Sequence, residues 1–224
     1  ERGHTNVAVT FVNNDYGKGL SDSFIGAYKG LGGKVSAVVP HDTDKADYSA
    51  EVASLNASGA KILAVLGYID QGGRQMIQTS IDSGAFDKFI LADGMYGESL
   101  LKNVDGDLTG TFGTVPGSDS KGAERFKGMA KSAGIKTGGP YTGESYDAGA
   151  LLVLAMQSGG STDRAALASN VFAVANAPGE KIMPGELGKA LRILASGGAV
   201  DYVGATNVEL IGGGEASGSY QEFE

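Results

Sequence analysis

Short apolar runs alternate with helix-like segments over the first half of the chain. The first run, Val7–Val12, is nearly uninterrupted and rich in β-branched residues, which is typical of a strand buried on both faces of a parallel sheet. After it, apolar residues recur at helical spacing from Leu20 to Leu31, and a glycine pair predicts where this helix ends. Four further strands are predicted at residues 34–39, 61–66, 88–92 and 110–115, with helices at 48–56, 73–83 and 98–102.

This regular order of strand and helix predicts an α/β fold, with a doubly wound and mainly parallel sheet and right-handed crossovers. In open sheets of this kind, ligands bind outside the carboxyl ends of the strands. Three of the predicted strands end in polar loops that carry a tyrosine or an aspartate, and these loops should meet at one edge of the sheet. The side chains concerned are Asp15, Tyr16, Tyr68, Asp70, Asp93 and Tyr96.

The pattern changes after Ser118. Amphipathic helices are predicted at residues 121–133, 141–157, 164–174 and 184–195, and short strands at 200–202, 208–210 and 220–223. The last three of these helices have apolar faces but almost no strand partner between them. We therefore interpret them as a layer whose sheet is not in this chain, and an uncovered layer of this kind is expected to favour dimerisation.

Composition narrows the classes of function. The 224 residues carry a net charge of −8, which disfavours nucleic acid and anionic membranes as partners. The absence of cysteine excludes disulfides, thiolate metal sites and cysteine nucleophiles. No apolar run is long enough to predict a membrane-spanning helix. Because the chain starts at Glu1, directly before a predicted strand, we interpret it as a processed chain or an excised piece.

Motifs for catalysis or metal binding are incomplete. Gly143–Asp147 resembles a nucleophile elbow but lacks its final glycine, and Gly17–Gly19 lacks the spacing of a phosphate-binding loop. Asp42–Asp47 lacks the glycine and the glutamate that a calcium loop requires. One of the two histidines, His41, is predicted to be a solvated loop residue. The sequence therefore predicts no catalytic residue, no cofactor and no metal site.

The loop residues favour a different chemistry. A carboxylate beside tyrosines suits an ammonium group, because the acid supplies charge pairing and the ring faces attract a cation or an apolar side chain.

A family resemblance rests on the same residues and on others in a fixed order. The segments that carry it are Asn14–Leu20, Asp47–Val52, Gly67–Tyr68, Ala92–Gly94, Ser145–Ala148, Pro184–Leu187 and Asp201–Ala205. Their order over essentially the whole chain resembles the branched-chain amino-acid-type, or type I, periplasmic solute-binding proteins of ABC transporters.

The resemblance implies a fold of two α/β lobes, joined by three crossings, with the solute in the cleft between them. Residues 1–139 and 206–224 resemble the second lobe, and residues 140–205 resemble the returning helical part of the first lobe. The opening half of that first lobe is expected to be absent. The implied mechanism is hinge closure and delivery of the solute to ABC permease subunits, in the periplasm or outside the cell at the membrane, without enzymatic chemistry.

The resemblance also assigns roles to individual residues. Tyr16 and Tyr68 match tyrosines that line the cleft, and Asp93 occupies the position of an acid, often Glu, that holds the α-ammonium group of an amino acid. Asp15 and Tyr96 complete the predicted ligand-binding set. The expected solute is an amino acid such as leucine, or a similar small amphipathic compound. Since the groups that hold its carboxylate are expected in the absent segment, the isolated chain is predicted to bind weakly or not at all.

Two alternatives remain open at this point. A ligand-sensing domain of a regulator or receptor would use the same fold. An α/β enzyme that uses the aspartates and tyrosines of the loops is disfavoured by the lack of a usable histidine, cysteine or metal set.

Overall fold

The computed structural model describes residues 2–224. They pack as two compact units. The first contains the described residues up to Val115 together with Glu222–Glu224, and the second contains Pro116–Gln221. These units divide at other positions than the lobes predicted from the sequence, whose limits are residues 139 and 206. The lobe assignment concerns matching parts of a family fold, and it stays a prediction.

The first unit alternates strands and helices along most of its length. Its elements are β1 (Asn6–Val12), α1 (Asp15–Gly30), β2 (Lys34–His41), α2 (Ser49–Asn56), β3 (Leu63–Leu66), an irregular turn (Ile69–Gly73), α3 (Arg74–Asp82), β4 (Phe89–Leu91), a 3-10 turn (Asp93–Met95), α4 (Glu98–Asn103) and β5 (Phe112–Pro116).

The central sheet has six strands in the order β10-β5-β4-β3-β1-β2, where β10 is the C-terminal strand Tyr220–Phe223. The pairings among β1 to β5 are parallel. The α/β class and the mainly parallel sheet predicted from the sequence are therefore confirmed. Because β4, β3 and β1 are neighbours in this order, the loops that follow them leave the sheet side by side.

Both faces of the sheet are buried, and β1 shows why its sequence is a continuous apolar run. Val7 and Val9 pack into a cluster on one face, whereas Ala8 packs into the larger cluster on the other face. All three side chains are fully inaccessible to solvent. A strand with helices on both sides has no polar face, so its sequence does not alternate.

The predicted end of the second strand was wrong, and so was the predicted environment of His41. β2 continues through Pro40, which pairs with Phe11, to His41, which pairs with Val12. Proline is tolerated here because β2 is the edge strand of the sheet, where one side of the backbone needs no ladder hydrogen bond. As a strand residue opposite Val12, His41 is fully buried instead of solvated.

The second unit contains four helices and two pairs of short strands. Its elements are α5 (Lys121–Ser132), α6 (Thr142–Gly159), α7 (Arg164–Ala175), β6 (Glu180–Ile182), α8 (Leu187–Ala195), β7 (Val200–Tyr202), β8 (Glu209–Gly212) and β9 (Glu215–Ser217). β6 and β7 form a parallel pair, and β8 and β9 an antiparallel pair.

The expectation that these helices have almost no strand partner was wrong. Ile182 of β6 and Val200 and Tyr202 of β7 lie in one buried cluster with α6, α7 and α8. A strand of three residues is too short to show a period in the sequence, and β6 was missed for that reason. Leu152 and Val153 on α6 nevertheless remain 49% and 40% exposed. Dimerisation through this layer stays a prediction.

A buried carboxylate ties two distant segments of the second unit together. Asp147 of α6 is only 2% exposed and accepts hydrogen bonds from the Tyr202 hydroxyl at 2.9 Å and the Ala205 amide at 2.8 Å. Its other oxygen accepts from the amide and the hydroxyl of Thr206, at 2.8 and 2.7 Å. A side chain on Gly204 would overlap the carboxylate, so glycine is required where the chain wraps around it.

We predict that Asp147→Ala lowers the free energy of unfolding by about 3 kcal/mol, because it leaves buried donors unpaired. The measurement is chemical denaturation followed by circular dichroism. Asp119→Ala is the control, since Asp119 is an exposed acid of the same unit and its loss should change stability by less than about 0.5 kcal/mol. Equal stabilities of the two variants would contradict a structural role for Asp147.

Burial lowers the pKa of His41 to about 4, against the opposing attraction of Glu51 and Asp42. The unfolded chain takes up this proton below about pH 6.5, whereas the folded chain does so only near pH 4. Stability is therefore lost as the pH falls from about 6.5 to about 4, by roughly 3 kcal/mol from this group.

We predict that His41→Gln removes this part of the pH dependence. The measurement is the difference in unfolding free energy between pH 7 and pH 4 for the wild type and the variant. His4→Gln is the matched control, because His4 is the exposed member of the two histidines and should leave the difference unchanged. An unchanged difference in His41→Gln would refute the assignment.

Candidate functional site

Tyr16 is placed by the short connection between β1 and α1. Asn14 precedes the helix, and its side-chain oxygen accepts a hydrogen bond from the Gly17 amide at 2.9 Å, which caps the helix. A side chain at Gly17 would overlap the carbonyl oxygen of Val12, the last residue of β1. Helix and strand therefore approach as closely as glycine allows, and Tyr16 is held half-buried in the first turn of the helix.

Asp93 and Tyr68 are placed by a close contact between two other loops. Asp93 opens the 3-10 turn after β4, and the amide of Gly94 donates to its Oδ1 at 2.9 Å. A Cβ atom on Gly94 would overlap the carbonyl oxygen of Gly67 and lie 2.8 Å from Tyr68 Cδ1. The lack of a side chain at Gly94 thus lets the loop after β4 pack directly on the loop after β3.

These three side chains form one cluster. The Tyr16 hydroxyl donates to Asp93 Oδ1 at 2.8 Å, and the rings of Tyr16 and Tyr68 stack with centroids 4.8 Å apart and an interplanar angle of 28°. All three residues are half-buried. The loops after three neighbouring strands therefore meet at one edge of the sheet. Ligand binding by these residues stays a prediction.

The other predicted site residues lie outside this cluster. Asp15 is exposed in the first turn of α1, where a negative charge suits the helix dipole. Tyr96 packs against Phe223, with ring centroids 4.8 Å apart. Asp70 is exposed on the turn after Tyr68.

The cluster offers a negative charge with a fixed orientation. Two donors, the Tyr16 hydroxyl and the Gly94 amide, converge on one oxygen of Asp93, and a carboxylate can accept about four hydrogen bonds in total. The stacked rings border the acid. Such an arrangement can accept an ammonium group and an adjoining apolar side chain.

Comparison with known proteins now places the chain in a family. A model of the periplasmic binding protein family matches residues 1–186. The chain belongs to the periplasmic binding protein family. Several of its relatives carry names that refer to leucine or to branched-chain amino acids.

A relative in Brucella abortus, named Leu/Ile/Val-binding protein homolog 1, is 29% identical over 161 residues, which are 70% of this chain and 42% of the relative. Among solved structures, a leucine-binding protein from Thermotoga maritima superposes with a TM-score of 0.75 at 20% identity, over 98% of this chain and 57% of that one. An ABC transporter substrate-binding protein from Desulfitobacterium hafniense, in complex with leucine, gives 0.59 at 15% identity, over 100% and 59%. The chain thus spans less than half the length of its curated relatives.

The described part of the chain has neither a cluster suited to a metal ion nor a helix suited to a bilayer. Within residues 2–224, no group of three or more histidine or acidic side chains is arranged to hold a metal ion. None of the helices in that range has the length and hydrophobicity needed to cross a bilayer.

Sequence reasoning did not assign the glycines that position the site in this periplasmic binding protein. Gly17 and Gly94 have no side chain that could bind a ligand. Each of them instead allows the close backbone approach that places Tyr16 or Asp93. A signal was present, because each glycine directly follows the residue that it positions. Spacing alone could not separate these two from the many glycines at turns.

We predict that Gly94→Ala distorts the cluster and lowers the free energy of unfolding by about 1–3 kcal/mol, because its methyl group must displace Tyr68 and a backbone carbonyl. The measurements are chemical denaturation and near-ultraviolet circular dichroism, which reports on tyrosines in a chain without tryptophan.

Gly26→Ala is the matched control for this substitution. Gly26 lies within α1 and a Cβ there meets open space, so alanine should leave the tyrosine signal unchanged and raise stability by about 0.5–1 kcal/mol. A Gly94→Ala variant as stable as Gly26→Ala, with an unchanged tyrosine signal, would show that this contact does not shape the site.

Proposed function

We propose that this chain belongs to the extracytoplasmic solute-binding component of an ABC importer, and that the solute is an amino acid or a similar small amphipathic amine. The observation that carries the proposal is the cluster of Tyr16, Tyr68 and Asp93 at the carboxyl edge of the sheet. Ligands bind at this edge in open α/β sheets. The relatives are named for the binding of leucine, isoleucine or valine, and these names support the same class of solute.

In this proposal, Asp93 pairs with the ammonium group of the solute. The Tyr16 hydroxyl and the Gly94 amide hold the carboxylate in a fixed orientation, so little side-chain freedom is lost when the solute binds. The tyrosine rings provide a cation–π contact and an apolar surface. Asp is one methylene shorter than Glu, and the ammonium group must therefore approach the floor of the site more closely.

Residues 1–139 and 206–224 would form the second lobe of the complete receptor, and residues 140–205 the returning part of the first. Hinge closure would bury the solute between the lobes, and membrane permease subunits would then receive it. In this proposal the protein passes its solute unchanged to a permease, so the proposed role is not enzymatic. The proposed location is the periplasm or the outer face of the membrane.

The proposal makes a specific prediction about fragments of leucine. Because this chain spans 42% of its curated relatives, it should hold one end of the solute and bind L-leucine only in the millimolar range. 3-Methylbutylamine, which is leucine without its carboxylate, should shift the ring resonances of Tyr16 and Tyr68 as leucine does. 4-Methylpentanoate, which lacks the ammonium group, should not. The measurement is an NMR titration of the chain.

Matched aspartate variants make this test specific to the site. Asp93→Asn keeps the shape of the side chain but removes its charge, and should weaken amine binding about tenfold or more. Asp70→Asn removes an exposed charge from a neighbouring loop and should have little effect. Micromolar leucine binding would contradict the interpretation that this chain holds only one end of the solute. An equal response to 4-methylpentanoate would contradict the ammonium role of Asp93.

A further inference from the structure

His41 lies where two of the site loops leave the sheet. Its side chain is fully buried, and its carbonyl oxygen accepts a hydrogen bond from the Asn13 amide at 2.8 Å, one residue before the cap of α1. Its ring Nδ1 shares a hydrogen bond of 2.8 Å with the hydroxyl of Thr10 on β1. One edge of the imidazole is thereby fixed to the strand that leads to Tyr16.

The opposite edge of the ring faces the turn that carries Tyr68. A Cβ atom on Gly67 would lie 3.2 Å from His41 Nε2, and one on Gly72 would lie 2.9 Å from His41 Cδ2. These glycines stand before and after Tyr68 in the turn. The imidazole therefore fills the space between β1 and both ends of this turn, where a side chain on Gly72 would overlap the ring and one on Gly67 would crowd it.

We propose that His41 is a positioning residue of the binding site, whose neutral imidazole holds the Tyr68 turn against the sheet. Only the description of this region as a binding site rests on the proposed function. The contact between ring and turn stands whether or not an amino acid binds there.

Protonation of His41 would weaken the contact between its ring and the Tyr68 turn. Within residues 2–224, Nε2 is buried and has no hydrogen-bond partner. The charged or titratable groups that face the ring are Asp42 at the end of its own strand, Glu51 on α2 and Tyr48 just before α2, whose ring lies edge-on with centroids 6.3 Å apart. β1 contributes only the uncharged Thr10, and the turn contributes glycines, while its own Asp70 is exposed.

Acid should therefore loosen the turn. An imidazolium ion without an acceptor for its Nε2–H gains hydration if the Gly67–Gly73 segment moves away and admits water. Tyr68 would then leave its stacking position on Tyr16. Neutral conditions would keep the site assembled, and acid would take it apart at the Tyr68 side first.

The test is an NMR titration of the whole chain from pH 7 to pH 3.5, in the wild type, His41→Gln and the matched control His4→Gln. In the wild type and in His4→Gln, the Tyr68 ring resonances and the contacts between the Tyr16 and Tyr68 rings should change with the same midpoint as the His41 ring, near pH 4. In His41→Gln this change should be lost. Carboxylates that titrate in the same range are present in all three proteins, so the difference isolates His41.

Two results would overturn the inference. One is a Tyr68 ring that stays in place while His41 takes up its proton. The other is an equal Tyr68 response in His41→Gln. If that variant fails to fold, the wild type and His4→Gln still decide, because the midpoints of His41 and Tyr68 must coincide. A parallel titration with L-leucine separates the two proposals, since the absence of any leucine response would contradict the millimolar binding proposed for this chain and leave the Tyr68 response as it is.

Discussion

Close backbone contact at the carboxyl edge of the parallel sheet is the constraint on which the site depends. α1 begins so soon after β1 that a side chain at Gly17 would overlap the carbonyl of Val12, and the loops after β3 and β4 touch so closely that Gly94 has no room for one either. Only in this geometry can the Tyr16 hydroxyl reach Asp93 across 77 positions of sequence. The hydrogen bond is thus a consequence of strand order and of small residues at the right places.

In the second unit, a buried carboxylate also joins segments that are far apart in the sequence. Asp147 collects four hydrogen bonds from a segment 55 to 59 residues further along the chain. Burying a carboxylate costs free energy unless its oxygens are hydrogen-bonded, and here four donors meet that need. Two of the segments that carry the family resemblance, Ser145–Ala148 and Asp201–Ala205, are therefore parts of one structural anchor.

His41 connects stability with the site. The same burial that fits its ring between β1 and the Tyr68 turn also lowers its pKa, so support for the turn and sensitivity to acid come from one cause. His4, by contrast, is exposed. Of the two histidines in the sequence, His41 is therefore the one that lies against the loops of the candidate site.

The sequence by itself determined the α/β class, the mainly parallel sheet and the sheet edge at which the loops of Tyr16, Tyr68 and Asp93 meet. It could do so because a strand buried on both faces leaves a continuous apolar run, and because parallel topology sends successive loops to one edge. The tertiary structure alone decided that Pro40 continues a strand, that His41 is buried and that β6 forms. None of these features leaves a periodic pattern in the local sequence, because each depends on another segment of the chain. Pro40 is tolerated because β2 is an edge strand, His41 is enclosed by two glycines of another loop, and β6 pairs with a strand 20 positions away.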